Sequence, residues 1–371
     1  MIKILFIGHD AYRAGAQILL LQFLKWLNVN RSDIQFEIML GSGGTLLNEY
    51  KAIAPVNLYF RKSSKNKIRN RYKRYRQLEQ LKYSKFDLIY SNSIVNGEIL
   101  SSLESLKLPV ISHIHELNYW INKSGELNLK YVKNFSSRYI VASEAVRRCL
   151  VVDYGFDNDI IESVSEFVLF ENLQKRADKL SLKQKLNIPT NAIIVGASGA
   201  EDWRKGKDWF IPMAIDVLAI TKNMNIHFVW IGGRLNDELE FDLDKSGIKD
   251  KVHFIEHLPE ANRYFSEFSV FAMLSREDPF PVVNLEAAGL GVPIICFDNS
   301  GGTPELIANG CGFSVPYANL HDFAEKVVRL IEDNKLYFQM SEAGILAVKT
   351  KYDIDIIANK LVDIIYSVVD K

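Results

Sequence analysis

Short apolar runs alternate with helical patterns along this chain of 371 residues. The runs are rich in β-branched and aromatic residues, which is typical of strands in βαβ units that are covered on both faces. Twelve such runs are visible: residues 2–7, 35–40, 56–60, 87–90, 109–113, 139–142, 192–196, 226–231, 252–255, 270–274, 293–297 and 313–315. They form two series of six, which predicts an α/β protein with two doubly wound, Rossmann-like domains facing a cleft.

The weakest point between the two series is the polar, lysine-rich segment 170–190. We therefore predict an N-terminal domain over residues 1–170 and a C-terminal domain over residues 171–371. The chain length agrees with two or three domains. The final segment, residues 354–369, has the pattern of a helix.

Composition argues against several classes of protein. The formal net charge is zero, so the chain as a whole has no attraction for nucleic acid. The three cysteines, Cys149, Cys296 and Cys311, are scattered and form no C-x-x-C pair, which favours a reducing compartment. A strand-like run follows Met1 directly, and no apolar run is long enough to span a bilayer. We expect a cytoplasmic protein.

The segment 275–302 carries two carboxylates, Asp278 and Glu286, in a D-x7-E spacing. Two prolines between them disfavour regular structure, and the run VVNLEAAGLG that follows has the pattern of a short helix ending at a glycine. We therefore expect Asp278 on a loop before a helix N-terminus and Glu286 inside that helix. A helix N-terminus is a natural anion site. The backbone N–H groups expected to face the anion belong to Phe280, Val282 and Val283.

A basic pair follows the run at residues 192–196. Arg204 and Lys205 lie near the start of a helix predicted over residues 208–220. Cations at such a place suit a diphosphate, because its oxygens then meet side-chain charge and helix amides together. The alternative is a solvated basic loop.

The first strand is followed by a loop that contains Gly15 and Ala16. Small residues there let backbone amides approach a phosphate or a sugar closely. The loop is not a G-x-G-x-x-G fingerprint, which argues against a dinucleotide site. An ordinary tight turn between strand and helix is the alternative.

His113 and His115 are two residues apart on a predicted strand, so they share one face of the sheet. They could form a metal pair, although no third cysteine or histidine lies nearby in the sequence. The alternative for His113 is a structural role at the strand end. Residues 90–93 (YSNS) close the preceding strand, where their polar side chains could bind ligand hydroxyls or form a turn.

Together these motifs resemble the E-x7-E signature of retaining GT-B glycosyltransferases of family 4, in which the pattern runs E-G-F-G-L-x-x-x-E-A. Asp278 stands here in place of the first glutamate, and Glu277 is the alternative for that position. Lys205 matches the lysine of the family's R-x5-K-G element. Gly199 stands where the family has an arginine, and Arg204 is the residue expected to compensate.

The resemblance also implies roles for individual residues. Asp278 and His115 are the expected catalytic residues, with His115 at the donor sugar. Glu256 and Leu258 lie where the family holds the nucleotide base against its backbone. The full donor-binding set is Gly15, Ala16, Arg204, Lys205, Glu256, Leu258, Phe280, Val282, Val283 and Glu286. The resemblance further implies that residues 1–170 form the acceptor-side domain and that residues 171–371 form the nucleotide-sugar-binding domain. The family commonly returns its last helix, here residues 354–369, to the first domain.

The activity implied by the resemblance is transfer of a sugar, with retention, from a nucleotide diphosphate sugar to a glycan or lipid-linked glycan in polysaccharide biosynthesis. No cofactor and no metal ion is expected. Two rival functions remain: a sugar-nucleotide epimerase of the same architecture, and a non-catalytic nucleotide-sugar-binding protein. An epimerase would convert the nucleotide sugar without any acceptor.

Residues 61–85 are dense in lysine and arginine, with Tyr72, Tyr75 and Tyr83 interleaved. A basic helix with tyrosines suits an anionic membrane surface, which would place the protein at the inner face of the cell membrane. It suits an anionic acceptor glycan equally well, and a merely solvated helix is the third alternative. Nucleic acid is not an expected partner.

Overall fold

The computed structural model describes residues 1–59, 67–176, 181–222, 225–256, 258 and 260–370. The chain divides into two compact units. The first unit contains Met1–Glu166 together with Ile354–Lys371, and the second contains Phe167–Asp353. The sequence-based boundary at residue 170 lies four residues beyond this division.

The first unit contains a parallel sheet of seven strands. The strands are β1 Ile2–Gly8, β2 Ile34–Leu40, β3 Val56–Leu58, β4 Leu88–Asn92, β5 Val110–Ile114, β6 Arg138–Val141 and β7 Ile161–Ser163. Their order is β3-β2-β1-β4-β5-β6-β7. The six runs predicted in this half all become strands, although Phe60 lies outside the described residues. The sequence analysis missed β7 because only one of its three residues is apolar and buried.

Helices follow the strands of the first unit in the order that βαβ units require. They are α1 Gly15–Asn30, α2 Leu47–Lys51, α3 Lys67–Tyr83, α4 Gly97–Leu103, α5 Asn118–Ser124, α6 Glu126–Phe135 and α7 Glu144–Arg148. The α1 helix buries an unbroken apolar face that includes Leu20, Phe23 and Leu24. The Phe23 ring lies edge-on to Phe6 of β1, with 6.1 Å between the ring centroids.

The second unit contains a parallel sheet of six strands in the order β10-β9-β8-β11-β12-β13. The strands are β8 Ile193–Ser198, β9 Ile226–Ile231, β10 Val252–Ile255, β11 Val270–Met273, β12 Ile294–Phe297 and β13 Gly312–Val315. All six are runs that the sequence predicts. Trp230, Phe228 and Phe271 are almost completely buried here, as expected for strands covered on both faces.

The remaining helices complete the two units. They are α8 Phe170–Arg176, α9 Leu182–Lys185, α10 Phe210–Ile220, α11 Asp237–Lys245, α12 Val282–Gly289, α13 Thr303–Ile307, α14 Leu320–Glu332, α15 Asn334–Lys351 and α16 Ile354–Val369. The predicted bounds of α16 agree with the structure. This helix belongs to the first unit, where the Trp26 indole of α1 donates a 2.6 Å hydrogen bond to Asp355.

Each sheet has one point at which the strand order reverses. In the first sheet this point lies between β1 and β4, and in the second it lies between β8 and β11. The loops that follow two such strands run in opposite directions and leave a crevice at the carboxyl edge of the sheet, which is where open α/β sheets bind ligands. Arg204, Lys205, Asp278 and Phe280 lie in the segments that follow β8 and β11. The first turns of α1 and α12 contain Gly15, Ala16, Val282 and Val283.

None of the described helices is long and apolar enough to cross a membrane.

Candidate functional site

The crevice of the second unit brings together two residues that lie far apart in the sequence. Lys205 follows β8 in a short 3-10 turn, and Asp278 follows β11. The Lys205 ammonium lies 2.5 Å from Asp278 Oδ2, and only 9% of the aspartate side chain is exposed. A partly buried ion pair of this kind holds both loops in register and leaves a cation at the sheet edge. The D-x7-E motif and the basic loop therefore form one site.

Arg204 connects the same two loops from the inside. Its guanidinium donates to Asp202 within the first loop and, over 3.0 Å, to the carbonyl oxygen of Glu277 in the second. The residue is buried, with 8% of its surface exposed. This geometry gives Arg204 a structural role between the loops, while its predicted contact with the diphosphate stays a prediction.

Two glycines allow the loops to approach this closely. Gly206 has φ +68°, and a Cβ there would lie 2.0 Å from the Leu274 carbonyl oxygen. Gly301 has φ +129°, and its Cβ would lie 1.7 Å from the carbonyl oxygen of Asp278. Asp278 and Gly301 also form an isolated parallel bridge. Only glycine satisfies both the backbone angle and the space at these positions.

The predicted helix after the prolines is α12, and it begins at Val282 with Pro281 as its N-cap. Val282 and Val283 occupy its first turn, where backbone N–H groups have no partner inside a helix. Phe280 is buried, and its ring packs 5.7 Å from that of Tyr352. Phe280 therefore anchors the loop with its side chain, and any contact with a ligand falls to its backbone.

Glu286 lies in the middle of α12, as the sequence predicts. Its Oε1 accepts a 2.7 Å hydrogen bond from the side-chain amide of Asn262, in the segment between β10 and β11. The contact holds the carboxylate in one orientation near the carboxyl edge of the sheet. No pattern in the sequence points to Asn262, which lies 24 residues before its partner.

Lys207 is a buried cation that the sequence analysis did not single out. Its ammonium donates to the carbonyl oxygens of Gly233, at 2.8 Å, and Arg234, in the loop after β9. Burial lowers the pKa of Lys207, and the charges of Glu201 and Glu256 act in the opposite direction. Lys207 thus ties the loops after β8 and β9 together.

Arg276 is a second cation that the sequence analysis missed. Its guanidinium makes a bidentate pair with Asp208, at 2.6 and 2.8 Å, and lies 3.8 Å from the centre of the Trp209 ring. Burial raises the pKa of Asp208, but the hydrogen bonds and charge of Arg276 outweigh it and hold the pKa below its ordinary value. This pair braces the loop that carries Lys205.

The predicted base-binding residues lie at the outer part of the same edge. The Glu256 side chain is 66% exposed and pairs with Arg234 at 3.2 Å. Leu258 follows it between two residues that are not described. Their contact with a nucleotide base stays a prediction.

The crevice of the first unit contains the other group of predicted residues. Gly15 begins α1, and a Cβ there would meet nothing within 4 Å. The carbonyl oxygen of Ala16 accepts a 3.1 Å hydrogen bond from the side-chain amide of Asn92, the last residue of β4. The Asn92 side chain therefore links β4 to the first turn of α1.

His115 follows β5 and therefore lies at the same carboxyl edge of the sheet as Asn92. Its Nδ1 is 2.6 Å from Glu166 Oε1, and its Nε2 is 2.8 Å from Asn92 Oδ1. The Glu166 side chain is 5% exposed and the His115 side chain is 8% exposed. Glu166 is a residue that the sequence analysis missed, since it follows the short strand β7 that carries no strand signal.

His113 lies beside His115, with 4.0 Å between the ring centroids. Its Nδ1 is 2.8 Å from the Tyr90 hydroxyl, while its buried Nε2 has no partner among the described residues. His113, His115 and Glu166 place one potential ligand atom each within 4.8 Å of one another. The third potential ligand beside the two histidines is therefore a glutamate from the segment after β7, 51 positions from His115.

Three further polar residues lie between the end of β1 and the first turn of α1. The Gln17 side-chain amide donates to His9 Nε2 and to Asp10 Oδ1, both at 2.8 Å. Because this nitrogen is a donor, His9 Nε2 must accept, so the proton of the neutral ring sits on Nδ1. This cluster adds polar groups to the crevice that the sequence analysis did not assign.

The family match covers most of the second unit. Residues 178–346 match the family model described as "Glycosyl transferases group 1". This match contains the Lys205, Asp278 and Glu286 positions described above.

Two curated relatives and one solved protein give further comparisons. A 41.2 kDa protein in a cps region of Klebsiella pneumoniae is 25% identical over 275 residues, which cover 70% of this chain and 73% of that protein. The O-antigen biosynthesis glycosyltransferase WclY of Escherichia coli is 30% identical over 118 residues, which make up 32% of each chain. Anabaena Alr3699/HepE in complex with UDP superposes with a TM-score of 0.82 at 18% identity, over 99% of this chain and all of that one.

The likeness to HepE confirms the predicted fold over 99% of the chain, and the family match lies within the second unit. The chain therefore resembles group 1 glycosyltransferases over residues 178–346, and it has the GT-B fold of two parallel α/β domains.

Proposed function

We propose that this protein transfers a sugar, with retention, from a nucleoside diphosphate sugar to a hydroxyl of a glycan or lipid-linked glycan in polysaccharide biosynthesis. The observation that carries the proposal is the Lys205–Asp278 pair at the crevice between β8 and β11. HepE has been crystallised with UDP and with UDP-glucose, which supports a uridine diphosphate sugar as the donor. The name of WclY supports a polysaccharide such as O-antigen as the product.

The diphosphate would lie against Lys205 and the first turn of α12. An ammonium group has three N–H donors, so Lys205 keeps donors for phosphate oxygens while it contacts Asp278. The amides of Val282 and Val283 add the positive end of a helix dipole. Charge that develops on the leaving diphosphate is then stabilised by groups already in place, which is the usual source of electrostatic catalysis.

The two carboxylates would orient the rest of the donor. Glu286 can accept hydrogen bonds from the ribose hydroxyls, because a carboxylate has room for several donors besides Asn262. Asp278 would hold hydroxyls of the transferred sugar beside the diphosphate. In this scheme the bond between the anomeric carbon and the phosphate oxygen breaks, the acceptor oxygen bonds to that carbon, and the departing phosphate oxygen takes the acceptor proton. Lys205 supplies the cation, so the scheme requires no resident metal ion or cofactor.

The first unit would receive the acceptor, and its basic helix α3 gives a reason to expect an anionic surface. The side chains of Tyr72, Tyr75 and Tyr83 are 60%, 58% and 83% exposed, and Arg69, Lys73 and Arg76 are exposed among them. Exposed tyrosines between cations suit the headgroup region of an anionic membrane. We propose that α3 docks the enzyme at such a membrane, from the cytoplasm, where a lipid-linked acceptor would be held.

The test is donor binding followed by product analysis. Thermal-shift titration against a panel of nucleoside diphosphate sugars should show stabilisation by one of them. Glu286→Ala should weaken binding of that donor by roughly 10-fold to 150-fold, since lost hydrogen bonds to a charged group cost about 1.5–3 kcal/mol each. Glu240→Ala is the matched control, because Glu240 is an exposed glutamate on α11.

Product analysis then separates the rival functions. NMR of the product should show transfer to an acceptor with the anomeric configuration of the donor. Conversion of the nucleotide sugar without any acceptor would identify an epimerase instead. Binding with neither transfer nor conversion, over a broad acceptor panel, would favour a non-catalytic binding protein.

A further inference from the structure

Ser93, the first residue after β4, has a backbone conformation that serine seldom adopts. Its φ is +117° and its ψ is +145°, and the residue is completely buried. This part of the φ/ψ map is populated almost only by glycine, and it is strained for every other residue. A strained backbone persists only where the surrounding structure holds it, and such residues concentrate at functional sites.

The side chain that holds Ser93 is Glu116, which follows β5. The Ser93 hydroxyl donates a hydrogen bond to Glu116 Oε1. Glu116 Oε2 accepts from the backbone N–H groups of Ile94, at 3.3 Å, and of His115, at 2.9 Å. Only 8% of Glu116 is exposed, so these hydrogen bonds form at low dielectric, where they are stronger than in water. One carboxylate therefore fastens the segment after β4 to the segment after β5.

Residues 92–96, here called the β4 loop, are also tied to the two strands on either side of β4. The Ser93 N–H donates to the His113 carbonyl oxygen of β5, over 2.8 Å. The Asn96 side-chain amide donates to the Ile7 carbonyl oxygen of β1, over 3.2 Å. The β4 loop therefore lies at the point between β1 and β4 where the strand order reverses, which is where ligands are expected.

The Glu116–Ser93 contact is adjacent in the chain to two side chains at the carboxyl edge of the sheet. Asn92 precedes Ser93, and its Oδ1 lies 2.8 Å from His115 Nε2. The Asn92 amide also donates to the Ala16 carbonyl oxygen, over 3.1 Å. A rotation of the Ser93 backbone would move Asn92, because a single peptide bond joins them. A displacement of Glu116 would move His115 for the same reason.

We propose that Glu116 is a positioning residue, which holds the β4 loop in its strained conformation together with the Ser93 hydroxyl. Asn92 and His115 are thereby fixed at the crevice of the first unit. Neither Glu116 nor Ser93 needs to touch a substrate for this role. The consequence for sugar transfer rests on the proposed function and on the expected place of His115 at the donor sugar. The Glu116–Ser93 contact itself can be measured without any substrate.

Paired substitutions at Ser93 test the strain. Ser93→Gly and Ser93→Ala both remove the hydroxyl, but only glycine adopts a φ of +117° without strain. In chemical denaturation of the full chain, Ser93→Gly should therefore have the higher midpoint concentration of denaturant. Equal midpoints, or the reverse order, would overturn the proposal, because the backbone would then not be held in a strained conformation.

Ser143 supplies the matched control for this comparison. It is a buried serine before a helix, and its hydroxyl accepts from the Val146 N–H, but its φ of −161° is open to any residue. Glycine is preferred to alanine before a helix, and Ser143→Gly and Ser143→Ala measure that preference alone. The difference between the glycine and alanine variants should be clearly larger at Ser93. Equal differences at the two positions would also overturn the proposal.

Hydrogen exchange, resolved to single residues on the full chain, tests the role of the carboxylate. The Ile94 and His115 N–H groups donate to Glu116, so Glu116→Ala should raise their exchange rates by roughly tenfold or more. The amides of β8 and β9 should keep their rates. Glu98→Ala is the control, because Glu98 is an exposed glutamate on α4, the helix after the β4 loop. Unchanged exchange at Ile94 and His115 in Glu116→Ala would show that Glu116 does not hold the loop.

Activity separates positioning from general structural support. If the proposed function is correct, Glu116→Ala should lower kcat by roughly tenfold or more, because small displacements of side chains near a reacting group are costly. The dissociation constant of the donor should change less than about twofold, since the nucleotide residues belong to the second unit. Glu116→Gln should recover most of the lost kcat, because its amide keeps one oxygen for the two backbone N–H groups and can donate to the Ser93 hydroxyl.

The outcomes of the activity measurement are distinct. A kcat of Glu116→Ala equal to that of the wild type, or equal losses in Glu116→Ala and Glu116→Gln, would overturn the positioning role. Parallel losses of kcat and donor binding would do the same, because they indicate a general loosening of the protein. Absence of any transferase activity in the wild-type protein would count against the proposed function alone. The denaturation and exchange measurements would then still decide whether Glu116 holds the β4 loop.

Discussion

At the scale of single residues, the site of the second unit depends on charges held between loops and on glycines that let the loops meet. The sequence predicted Lys205, Asp278 and Glu286 as separate motifs, and the structure joins the first two directly. It could not predict the support from Lys207, Arg276 and Asn262, because their partners are backbone carbonyls or residues on other loops.

Lys205→Ala should weaken binding of a nucleoside diphosphate more than binding of the corresponding nucleoside. The reason is that the ammonium contacts Asp278 in the loop that leads into α12, where the phosphates are expected, and a lost charged hydrogen bond costs about 1.5–3 kcal/mol. Isothermal titration calorimetry with both ligands measures the difference. Lys349→Ala, at an exposed lysine of α15, is the control. An equal loss for both ligands would place Lys205 away from the phosphates.

Gly301→Ala should destabilise the protein by about 1–3 kcal/mol or more, because the new Cβ would overlap the carbonyl oxygen of Asp278 at a strained φ of +129°. Gly247→Ala provides the comparison, since Gly247 has φ +75° and open space around it. The loss of unfolding free energy in Gly247→Ala reports the effect of the backbone angle alone. Chemical denaturation of both variants gives the two values, and equal costs would show that the loops separate easily.

At the scale of helices and strands, apolar patterning predicted the elements well, and short or polar elements less well. The twelve predicted strands and the helix α16 are present, whereas β7 carries no pattern that could be recognised. The basic segment contains α3, and residues 61–66 of that segment lie outside the described residues.

The adjacent strands β9 and β10 carry a stacked pair, His227 and His253, with 3.1 Å between Nδ1 and Nε2. Burial is the largest cause of the lowered pKa of both rings, and the charge of His227 adds to it for His253, whose pKa falls to about 4. On each ring Lys251 also lowers the pKa, whereas Asp250 raises it. The unfolded chain binds these protons near pH 6.5, so between about pH 6.5 and 4 it holds more protons than the folded protein. Stability should therefore fall as the pH decreases through this range.

His253→Gln should reduce that pH dependence. Melting temperatures measured at about pH 7.5 and pH 5 should differ less in this variant than in the wild type, because a titrating group has been removed. His321→Gln is the control, since the His321 side chain is 66% exposed. An unchanged pH dependence in His253→Gln would mean that the pair does not resist protonation.

The helix α3 should bind anionic vesicles in a salt-dependent manner. Each lysine or arginine near such a surface contributes about 1 kcal/mol, and salt screens the attraction within a Debye length. Vesicle sedimentation should show strong binding at low salt and weak binding to neutral lipid. Replacing Arg69, Lys73 and Arg76 by serine should lower binding and leave donor affinity unchanged. Loss of transfer to a soluble anionic acceptor, with vesicle binding intact, would favour the acceptor glycan instead.

At the scale of the whole molecule, the first unit is completed by the last helix of the chain. The side chains of Ile357, Leu361 and Ile365 on α16 are buried, and the Tyr366 hydroxyl donates a 2.5 Å hydrogen bond to Asp33. The two chain segments that build this unit are therefore separated in the sequence by the entire second unit.

Leu361→Ala should cost the first unit about 2–5 kcal/mol, as usual for a buried leucine. Hydrogen exchange should rise in the strands β1 and β4 and stay unchanged in β8 and β9. The exposed Lys360 on the same helix supplies the control variant Lys360→Ala. Equal increases in both units would show that they unfold as one.

The amino-acid sequence by itself determined the α/β class, the positions of the strands, and the loop and helix that carry Asp278 and Glu286. These are local properties, because the period of apolar residues and the placement of proline and glycine act within a few neighbours. Only the tertiary structure decided which side chains meet. Lys205 and Asp278 are 73 positions apart, and His115 and Glu166 are 51 apart. Parallel strands bring their carboxyl ends to one edge regardless of such separations, so both contacts follow from strand order, which no local pattern contains.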